Sequence, residues 1–414
     1  MRKTILEICT AVLLVLGLSH GIASQAAPAH WPQWRGPNRD GHVAAFVPPK
    51  VWPEQLTQRW KVDVGSGHAT PLLVGNRIYA FSRQAENEVM AALDANSGTV
   101  LWRTSYPAPF KMDKGAAPHG PGPKSTPAYA DGKLFSIGMS GIVTAFDAAT
   151  GKQLWQKPGL PEQPLWTSHS FSPIVDRGRV VFHMGGNDKG TLIAFDVTSG
   201  EVKWEWRGDG PGYGSPMFYD FAGTPQIVTM TQQKFIAVDP ATGKLLWERP
   251  YTTEYAQNIM TPVRYGDTLI VSGYQKPVSA FRVARQNNQW STEQVWENAD
   301  VSLYMSDMVL LGGTLVGFSQ RRSGQYFGLD AGNGKTLWTS EPRQATNAAL
   351  VRAGDFWFAL EDDGELMVSR WKTATFEPLR RYTVASSATW AQPVVTSAGV
   401  LVKDVSTLTS WTFN

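Results

Sequence analysis

Nine side chains in this chain could together bind a small molecule, because hydrogen-bonding and aromatic groups commonly line such sites. They lie in short segments that look like loops, such as Gly67-His68-Ala-Thr70-Pro71 and Trp390-Ala-Gln392-Pro393. Loops on a rigid scaffold often carry binding residues. The nine candidates are His68, Lys124, His169, Tyr213, Asn258, Tyr304, Asn347, Trp390 and Gln392.

The same segments offer little for catalysis or metal binding. Asp307 is the only carboxylate in them, whereas calcium takes about six to eight oxygen ligands and alcohol oxidation needs a base. His68 and His169 have no third ligand beside them, which is weak support for a zinc site. The only cysteine is Cys9, near the N-terminus. The sequence therefore predicts no catalytic residue and no metal site.

The first residues predict export. Two basic residues precede an apolar run, residues 5–18, and small residues follow it. This order is typical of a secretory signal peptide, residues 1–26, with cleavage after Ala23 as the alternative. A membrane anchor is the other interpretation, although the run is shorter than the about 20 residues that span a bilayer. Cys9 lies near the start of the run, where a lipid-accepting cysteine would not. We therefore expect a periplasmic or extracellular protein, not lipid-anchored and without a transmembrane segment once cleaved.

Charge and composition narrow the class of protein further. The chain has 38 Lys and Arg against 35 Asp and Glu, a formal net charge of +3, which argues against a nucleic-acid partner. Its 39 Gly, 27 Pro and 17 Trp favour many short strands and turns. We expect an N-terminal extension over residues 27–55 and one β domain over residues 56–414, in a protein that is monomeric.

One pattern recurs five times with identical internal spacing: Asp, three residues, Gly, three residues, Trp. The Asp carboxylate can accept backbone N–H bonds from a turn, and the Gly supplies the left-handed backbone position that a short hairpin loop needs. The Trp provides a large apolar anchor that keeps one N–H donor. The copies are Asp94-Gly98-Trp102, Asp147-Gly151-Trp155, Asp196-Gly200-Trp204, Asp239-Gly243-Trp247 and Asp330-Gly334-Trp338.

Three further anchors extend the series. Trp60 begins it, Trp296 ends a unit that lacks the Asp and Gly, and Tyr382 replaces Trp in another. Their spacing of roughly 45 residues suits four strands with turns, as in a propeller blade. The sequence therefore predicts an all-β, eight-bladed β-propeller of four-stranded antiparallel blades, whose N- and C-terminal strands share the last blade and remove exposed sheet edges. Seven blades is the alternative count.

The repeats resemble a known family. The stretches Ala145-Phe-Asp147-Ala-Ala-Thr-Gly151-Lys-Gln-Leu-Trp155 and Ala237-Val-Asp239-Pro-Ala-Thr-Gly243-Lys-Leu-Leu-Trp247 are similar to pyrroloquinoline-quinone (PQQ) type propeller repeats. The opening from Trp31 to Gly41 resembles the start of bacterial PQQ-like repeat proteins. The resemblance implies one of two branches. Quinoprotein dehydrogenases bind PQQ and calcium and oxidise alcohols or sugars, whereas the outer-membrane assembly factor B branch is non-enzymatic.

The longest connection after a repeat Trp runs from Tyr106 to Lys124 and contains five prolines. Long ordered loops are often functional, and the prolines favour an extended segment. If the Asp–Gly turns lie on one face of the propeller, this loop and the nine candidates lie on the opposite, top face. We expect the loop to act as a lid or a partner contact.

The residues and the resemblance together favour a non-catalytic function. Quinoprotein alcohol dehydrogenases usually place two adjacent cysteines against the cofactor, and this chain lacks them. We therefore predict an exported scaffold that binds a protein partner of the cell envelope or a small ligand on its top face, without PQQ or calcium. A PQQ- and calcium-dependent quinoprotein dehydrogenase and a carbohydrate-binding or carbohydrate-active propeller are the alternatives.

Overall fold

Eight antiparallel β-sheets make up the computed structural model, which describes residues 30–43, 45–160, 165 and 168–414. Each sheet is one blade of a ring, so the predicted all-β, eight-bladed propeller is confirmed and the alternative of seven blades is wrong. The predicted signal peptide lies outside the described residues. Among those residues, no helix is long and apolar enough to cross a membrane.

Blades 1 to 4 follow each other in chain order, and each runs from an inner to an outer strand. Blade 1 contains Leu72–Val74, Arg77–Gln84, Asn87–Asp94 and Val100–Pro107. Blade 2 contains Ala128–Ala130, Lys133–Ile137, Val143–Asp147 and Gln153–Lys157. Blade 3 contains Ile174–Asp176, Arg179–Gly185, Gly190–Asp196 and Val202–Gly208. Blade 4 contains Met217–Phe221, Thr224–Met230, Lys234–Val238 and Leu245–Pro250.

Blades 5 to 8 complete the ring. Blade 5 contains Val263–Tyr265, Thr268–Gly273, Lys276–Gln286 and Gln289–Asn298. Blade 6 contains Val309–Leu311, Thr314–Ser319, Gln325–Asp330 and Thr336–Thr339. Blade 7 contains Ala348–Ala353, Phe356–Glu361, Glu365–Arg370 and Glu377–Thr383. Blade 8 contains Val394–Thr396, Gly399–Lys403, Thr407–Thr412 and, as its outer strand, Thr57–Asp63. Short 3-10 turns cover Lys114–His119, Glu254–Ala256 and Arg321–Ser323.

The ring closes through blade 8, where the strand from the start of the propeller pairs with the last strand of the chain. The pairing is antiparallel, with Lys61 opposite Thr409. The apolar cores lie between neighbouring sheets and are filled by buried aromatic side chains such as Phe81, Phe135 and Phe182. Closure leaves each blade covered on both faces.

The repeat motif links each blade to the next one. In blade 1, Asp94 Oδ1 accepts hydrogen bonds from the backbone N–H groups of Asn96 (3.0 Å) and Ser97 (2.9 Å), and Gly98 has a φ of +73°. The ring of Trp60, from the preceding blade, lies over Gly98 so closely that a Cβ there would be 2.7 Å from it. The glycine is therefore needed both for the turn and for the contact between blades.

The indole N–H groups also link each blade to the next one. In five of these contacts the donor Trp bonds to the carbonyl oxygen of the residue directly after the repeat Asp of the next blade. The donor–acceptor pairs are Trp60 with Ala95, Trp102 with Ala148, Trp155 with Val197, Trp204 with Pro240 and Trp296 with Ala331.

An N-terminal strap, residues 30–43, crosses the central channel. Its first strand, His30–Trp31, pairs with the inner strand of blade 1, and its second, His42–Val43, runs parallel to the inner strand of blade 7. Between these two strands, the buried side chains of Arg35 and Arg39 bind the strap to the blades. These residues belong to the predicted N-terminal extension, and in the fold they lie at the centre of the ring.

Candidate functional site

A cavity of about 530 Å³ lies at the top face, where the connections between blades meet over the channel. Its lining is mostly apolar and aromatic, with a few polar groups, as is common for small-molecule sites. The repeat turns lie at the opposite ends of the strands, so the predicted separation of the two faces is the arrangement observed. The aromatic lining residues are Trp34, His68, His119, Tyr213, Tyr255 and Trp390.

The strap supplies the wall of the cavity on the channel side. Trp34 lines the cavity, and its Nε1 donates a hydrogen bond to Thr261 Oγ1 (3.1 Å). Arg39 donates to the carbonyl oxygens of Pro216 (2.8 Å), Pro173 (2.9 Å) and Ser172 (3.0 Å), which begin the inner strands of blades 3 and 4. Burial, and then the nearby charge of Arg35, lower the pKa of Arg39 to about 9. The strap is therefore fixed to the blades by charged hydrogen bonds inside the channel.

Asp307 lies at the junction of strap and cavity. Its Oδ1 accepts a hydrogen bond from the N–H of Thr261 (2.6 Å) and lies 3.9 Å from Arg35 Nη1. Arg35 Nη2 also donates to the carbonyl oxygen of Met308 (2.5 Å). Burial raises the pKa of Asp307, and Arg35 opposes that rise. This carboxylate is thus occupied by protein donors on the side of the strap.

The predicted long loop covers the cavity, and we call residues 108–124 the lid. Lys124 Nζ donates to the carbonyl oxygens of His119 (2.7 Å), Gly120 (2.9 Å) and Gly122 (3.3 Å). The His119 ring meets the edge of Trp390, with centroids 4.9 Å apart. Burial lowers the pKa of Lys124 to about 7. These contacts hold residues 108–124 against the cavity, which Met112, Asp113, Ala116, His119 and Lys124 help to line.

A hydrogen bond from His68 also holds the lid. Its Nε2 lies 2.8 Å from the carbonyl oxygen of His119, so this nitrogen carries the proton and donates. Burial, followed by the charge of Lys124, lowers the pKa of His68 to about 3. The ring is therefore neutral at pH 7, and its Nδ1, which has no hydrogen-bond partner among the described residues, is an acceptor.

Four of the nine predicted residues line the cavity: His68, Lys124, Tyr213 and Trp390. The other five lie outside its lining. His169 and Asn258 are buried and bond to backbone carbonyl groups, and Asn347 Nδ2 donates to the carbonyl oxygen of Met305 (2.9 Å). The Tyr304 ring packs against Tyr274, and the N–H of Gln392 donates to Thr70 Oγ1 (3.2 Å).

Sequence reasoning missed several lining residues. Trp34 belongs to the strap, and the signal for it was its place in the opening from Trp31 to Gly41 that resembles the start of PQQ-like repeat proteins. Tyr255 and Gln257 lie in the connection that precedes Asn258, one turn away from the predicted position. A loop pattern predicts which segment approaches a channel, but the side chain that faces it depends on the loop's local conformation.

A protein-family model matches residues 85–340, and its description is outer membrane protein assembly factor BamB. The chain belongs to this family. Its blades also match those of BamB from Moraxella catarrhalis, with a TM-score of 0.62 and 18% identity over 87% of this chain and 98% of that one. The identified resemblance to PQQ-type repeats is therefore confirmed.

This BamB-family chain is also similar to enzymes over part of its length. The dehydrogenase subunit of a quinone-dependent alcohol dehydrogenase from Komagataeibacter europaeus is 30% identical over 163 residues, 36% of this chain and 21% of that protein. Quinohemoprotein alcohol dehydrogenase from Comamonas testosteroni matches in structure with a TM-score of 0.66 and 16% identity, over 94% of this chain and 81% of that one. The chain thus matches about a fifth of the length of the curated relative.

These relatives overturn one prediction. The sequence analysis favours a non-catalytic scaffold, because the loops lack a set of carboxylates and a cysteine pair. Curated relatives at this level of identity are named alcohol dehydrogenases, so the reading as a scaffold is wrong and the quinoprotein alternative is better supported. The prediction failed because it inferred function only from two missing features, the carboxylates that would bind calcium and the cysteine pair.

The cavity of this BamB-family chain fits the organic part of a quinone cofactor and not its metal. Aromatic side chains such as those of Trp34 and Trp390 line it and suit a flat ring. The carboxylates in the lining are those of Asp113 and Asp307. Nowhere in the described part of the chain do three or more His, Cys, Asp or Glu side chains group so that they could hold a metal ion. A calcium cage of about six to eight oxygen ligands does not fit here.

Proposed function

We propose that this chain is an oxidoreductase of the quinoprotein type, which binds a flat quinone such as PQQ in its central cavity and oxidises an alcohol or a sugar there. The observation that carries the proposal is the cavity of about 530 Å³ at the top face, which Trp34 and Trp390 both line. The named alcohol dehydrogenase among its relatives supports the reaction class. A quinone bound there would take up the two electrons and two protons that an alcohol loses when it becomes a carbonyl compound, and would leave as a quinol for an external electron acceptor to reoxidise.

The chain's own residues would hold and shield the reactants. Trp34 and Trp390 line the cavity and would supply aromatic contacts to a planar ring. Lys124 also lines the cavity, and its Nζ donates to three carbonyl oxygens of the lid. His68 lines the cavity as well, and its neutral ring holds the lid through the hydrogen bond from Nε2 to the carbonyl oxygen of His119. Residues of the lid, among them Met112 and Ala116, complete the lining on the side of blades 1 and 2.

Thermal unfolding with added PQQ tests the proposal. A ligand that binds only the folded state stabilises it by about 2.7 kcal/mol at a concentration of 100 Kd. We expect PQQ to raise Tm equally in EDTA and in calcium, because the cavity offers no calcium cage, and to support dye reduction with ethanol, 1-butanol or glucose. No shift in Tm together with no dye reduction would remove the proposal.

Matched tryptophan variants test whether PQQ binds in the cavity. Trp390→Ala removes an aromatic wall and should abolish most of the PQQ-dependent rise in Tm. Trp290→Ala is the control, because Trp290 lies on the outer hairpin of blade 5 under Arg285, away from the cavity. Equal loss in both variants would mean that PQQ binds elsewhere.

We also propose that the protein acts in the periplasm. The signal-like residues 1–26 support this location. Alkaline phosphatase fused to the full chain should be active in a bacterial host and inactive when residues 1–26 are deleted. Equal activity of the two fusions would contradict the proposal.

A further inference from the structure

A second cavity, of about 170 Å³, opens on the face of the repeat turns, opposite to the central cavity. It lies between blade 8 and blade 1, where the two ends of the chain close the ring, and we call it the seam notch. Its buried lining is mostly apolar, and exposed turn residues surround its mouth. The apolar residues are Leu73, Ile78, Val394, Val400 and Leu401, and the residues at the mouth are Gly75, Asn76, Asn96 and Ala398.

The notch is open because blade 8 departs from the other blades at Gly399, which begins its second strand. In blade 1 the same position is Arg77, whose Nη1 donates to the carbonyl oxygens of Ala148 (3.3 Å) and Ala149 (3.2 Å) in the turn of blade 2. Glycine leaves the corresponding space between blades 8 and 1 unfilled. The other seven blades all carry a side chain at this position: Arg77, Lys133, Arg179, Thr224, Thr268, Thr314 and Phe356.

Arg59 is a second departure from the repeat, and it is the one charged residue that lines the notch. It is the extra residue of a β-bulge between Gln58 and Trp60, where the outer strand of blade 8 pairs with the last strand of the chain. Bulges of this kind re-aim a side chain. Six other blades place an apolar residue at their bulge: Leu101, Leu154, Leu246, Val295, Leu337 and Leu379.

Blade 3 shows how a cation at the bulge is paired within the protein. There Lys203 occupies the bulge, and its Nζ lies 3.1 Å from Oδ2 of Asp196, the repeat Asp of the same blade. Blade 8 has no repeat Asp, because its last two strands come from opposite ends of the chain. The guanidinium of Arg59 is exposed and has no hydrogen bond or ion pair within the part of the chain that the structure describes. Its charge is therefore available to a ligand.

The acidic residue beside the mouth does not compete for that charge. Asp94 Oδ2 accepts a hydrogen bond from Asn76 Nδ2 (2.7 Å), and its Oδ1 accepts from the backbone N–H groups of Asn96 (3.0 Å) and Ser97 (2.9 Å). The carboxylate is thus satisfied by its own turn.

Volume and charge together define the occupant. An apolar cavity of about 150 Å³ holds a benzene molecule in another protein, so a phenyl-sized body fits the notch. Leu73 and Leu401 each remain 6% exposed, so solvent and a ligand reach the apolar wall. A guanidinium matches the geometry of a carboxylate. The chemistry that suits both features is a small apolar molecule with one carboxylate.

We propose that the seam notch binds a monocarboxylate with a phenyl-sized apolar body, which packs between blades 8 and 1 while its carboxylate pairs with Arg59. The site is separate from the central cavity and goes beyond the proposed function. Because its walls come from the first and last blades, the ligand would also stabilise the closed ring.

Calorimetry on the full chain without quinone tests the notch, with phenylacetate as the probe. Phenylacetamide keeps the ring without the charge, and acetate keeps the charge without the ring. We expect phenylacetate to bind about threefold more tightly than phenylacetamide, because an exposed ion pair contributes little, and acetate to show no binding, because it buries no ring. At about 1 M salt the preference for phenylacetate should disappear.

Arg59→Gln should abolish the preference for phenylacetate and leave the affinity for phenylacetamide unchanged. Lys203→Gln is the matched control, because it removes the same charge from the same bulge position in blade 3, away from the notch. It should behave like wild type. No binding of phenylacetate, or an unchanged preference in Arg59→Gln, would overturn the proposal.

Leu401→Tyr tests the apolar wall, because it gives blade 8 the residue that blade 1 has at Tyr79. A side chain at Gly399 is not used, since its Cβ would collide with the carbonyl oxygen of Trp411. We expect Leu401→Tyr to fill the notch and to lose binding of both phenyl compounds, and wild-type affinity in this variant would contradict the site. If Leu401→Tyr does not fold, Arg59→Gln and Lys203→Gln decide the question alone. A protein that binds PQQ and no phenylacetate refutes the notch alone, and the reverse result refutes the quinoprotein proposal alone.

Discussion

The indole N–H of Trp60 donates a hydrogen bond to the carbonyl oxygen of Ala95 at 3.2 Å, and the same ring covers Gly98. Trp60 belongs to the strand that closes blade 8, and Ala95 begins the repeat turn of blade 1. This contact between the two ends of the ring repeats the one that joins successive blades. The propeller is therefore closed by the interaction that also propagates it.

The glycine under Trp60 should tolerate no side chain. In Gly98→Ala the new Cβ would lie 2.7 Å from the indole, at a φ of +73°. Gly75→Ala in the same blade is the control, because its φ is +59° and no atom lies within 4 Å of the new Cβ. We expect Gly98→Ala to lose about 1–3 kcal/mol more unfolding free energy than the control, from overpacking. Urea unfolding measures both, and equal losses would show that only the backbone conformation matters.

Arg39→Met should destabilise the whole ring. The substitution keeps much of the side-chain volume but leaves the carbonyl oxygens of Ser172, Pro173 and Pro216 without the donor that now satisfies them. Each unsatisfied buried group costs about 1–3 kcal/mol, so we expect a loss of at least about 3 kcal/mol. Arg285→Met, at an exposed hairpin, should change the free energy of unfolding little. A similar small change in Arg39→Met would mean that the strap contributes little to stability.

The lid should open when Lys124 loses its charge. In Lys124→Met the carbonyl oxygens of His119, Gly120 and Gly122 lose the ammonium group that binds them. Trypsin should then cleave after Lys111 and Lys114 several times faster, because proteolysis follows the population of the open loop. Lys133→Met, on a strand of blade 2, is the control. An unchanged cleavage rate would show that the lid is held by other contacts.

Stability should fall in mild acid because buried histidines resist protonation. Burial lowers the pKa of His183 to about 3, and its Nε2 lies 3.2 Å from the carbonyl oxygen of Asp209. A depressed pKa in the folded state means that its contribution is complete above the unfolded pKa of about 6.5 and is lost as the pH falls towards 3. The loss approaches about 1.4 kcal/mol per pH unit for such a group.

Urea unfolding between pH 7 and pH 4 measures this loss. In His183→Gln, the slope of unfolding free energy against pH should be shallower than in wild type. His42→Gln is the control. Burial also lowers the pKa of His42, but this side chain is only half-buried in the strap, so its removal should change the slope less than removal of His183. Identical slopes in wild type and His183→Gln would contradict the assignment.

The sequence by itself determined the architecture. Asp94, Gly98 and Trp102 recur at a fixed spacing because one local turn and one contact between neighbouring blades are used again and again, and such short-range requirements leave a readable pattern. The number of blades and the strand that closes the ring followed from the same spacing. The sequence also placed four residues at the cavity: His68, Lys124, Tyr213 and Trp390. Each lies in a loop directly before an inner strand, so the position of the strand fixes where the loop ends.

Only the tertiary structure decided which side chains fill the channel. Arg35, Arg39 and Trp34 meet groups more than 100 residues away, so no periodic signal marks them. The seam notch also follows from the tertiary structure, because blades 8 and 1 supply its walls from the two ends of the chain. Contacts of this kind are set by loop conformation and by packing across the ring, and neither is encoded in the local pattern of residues.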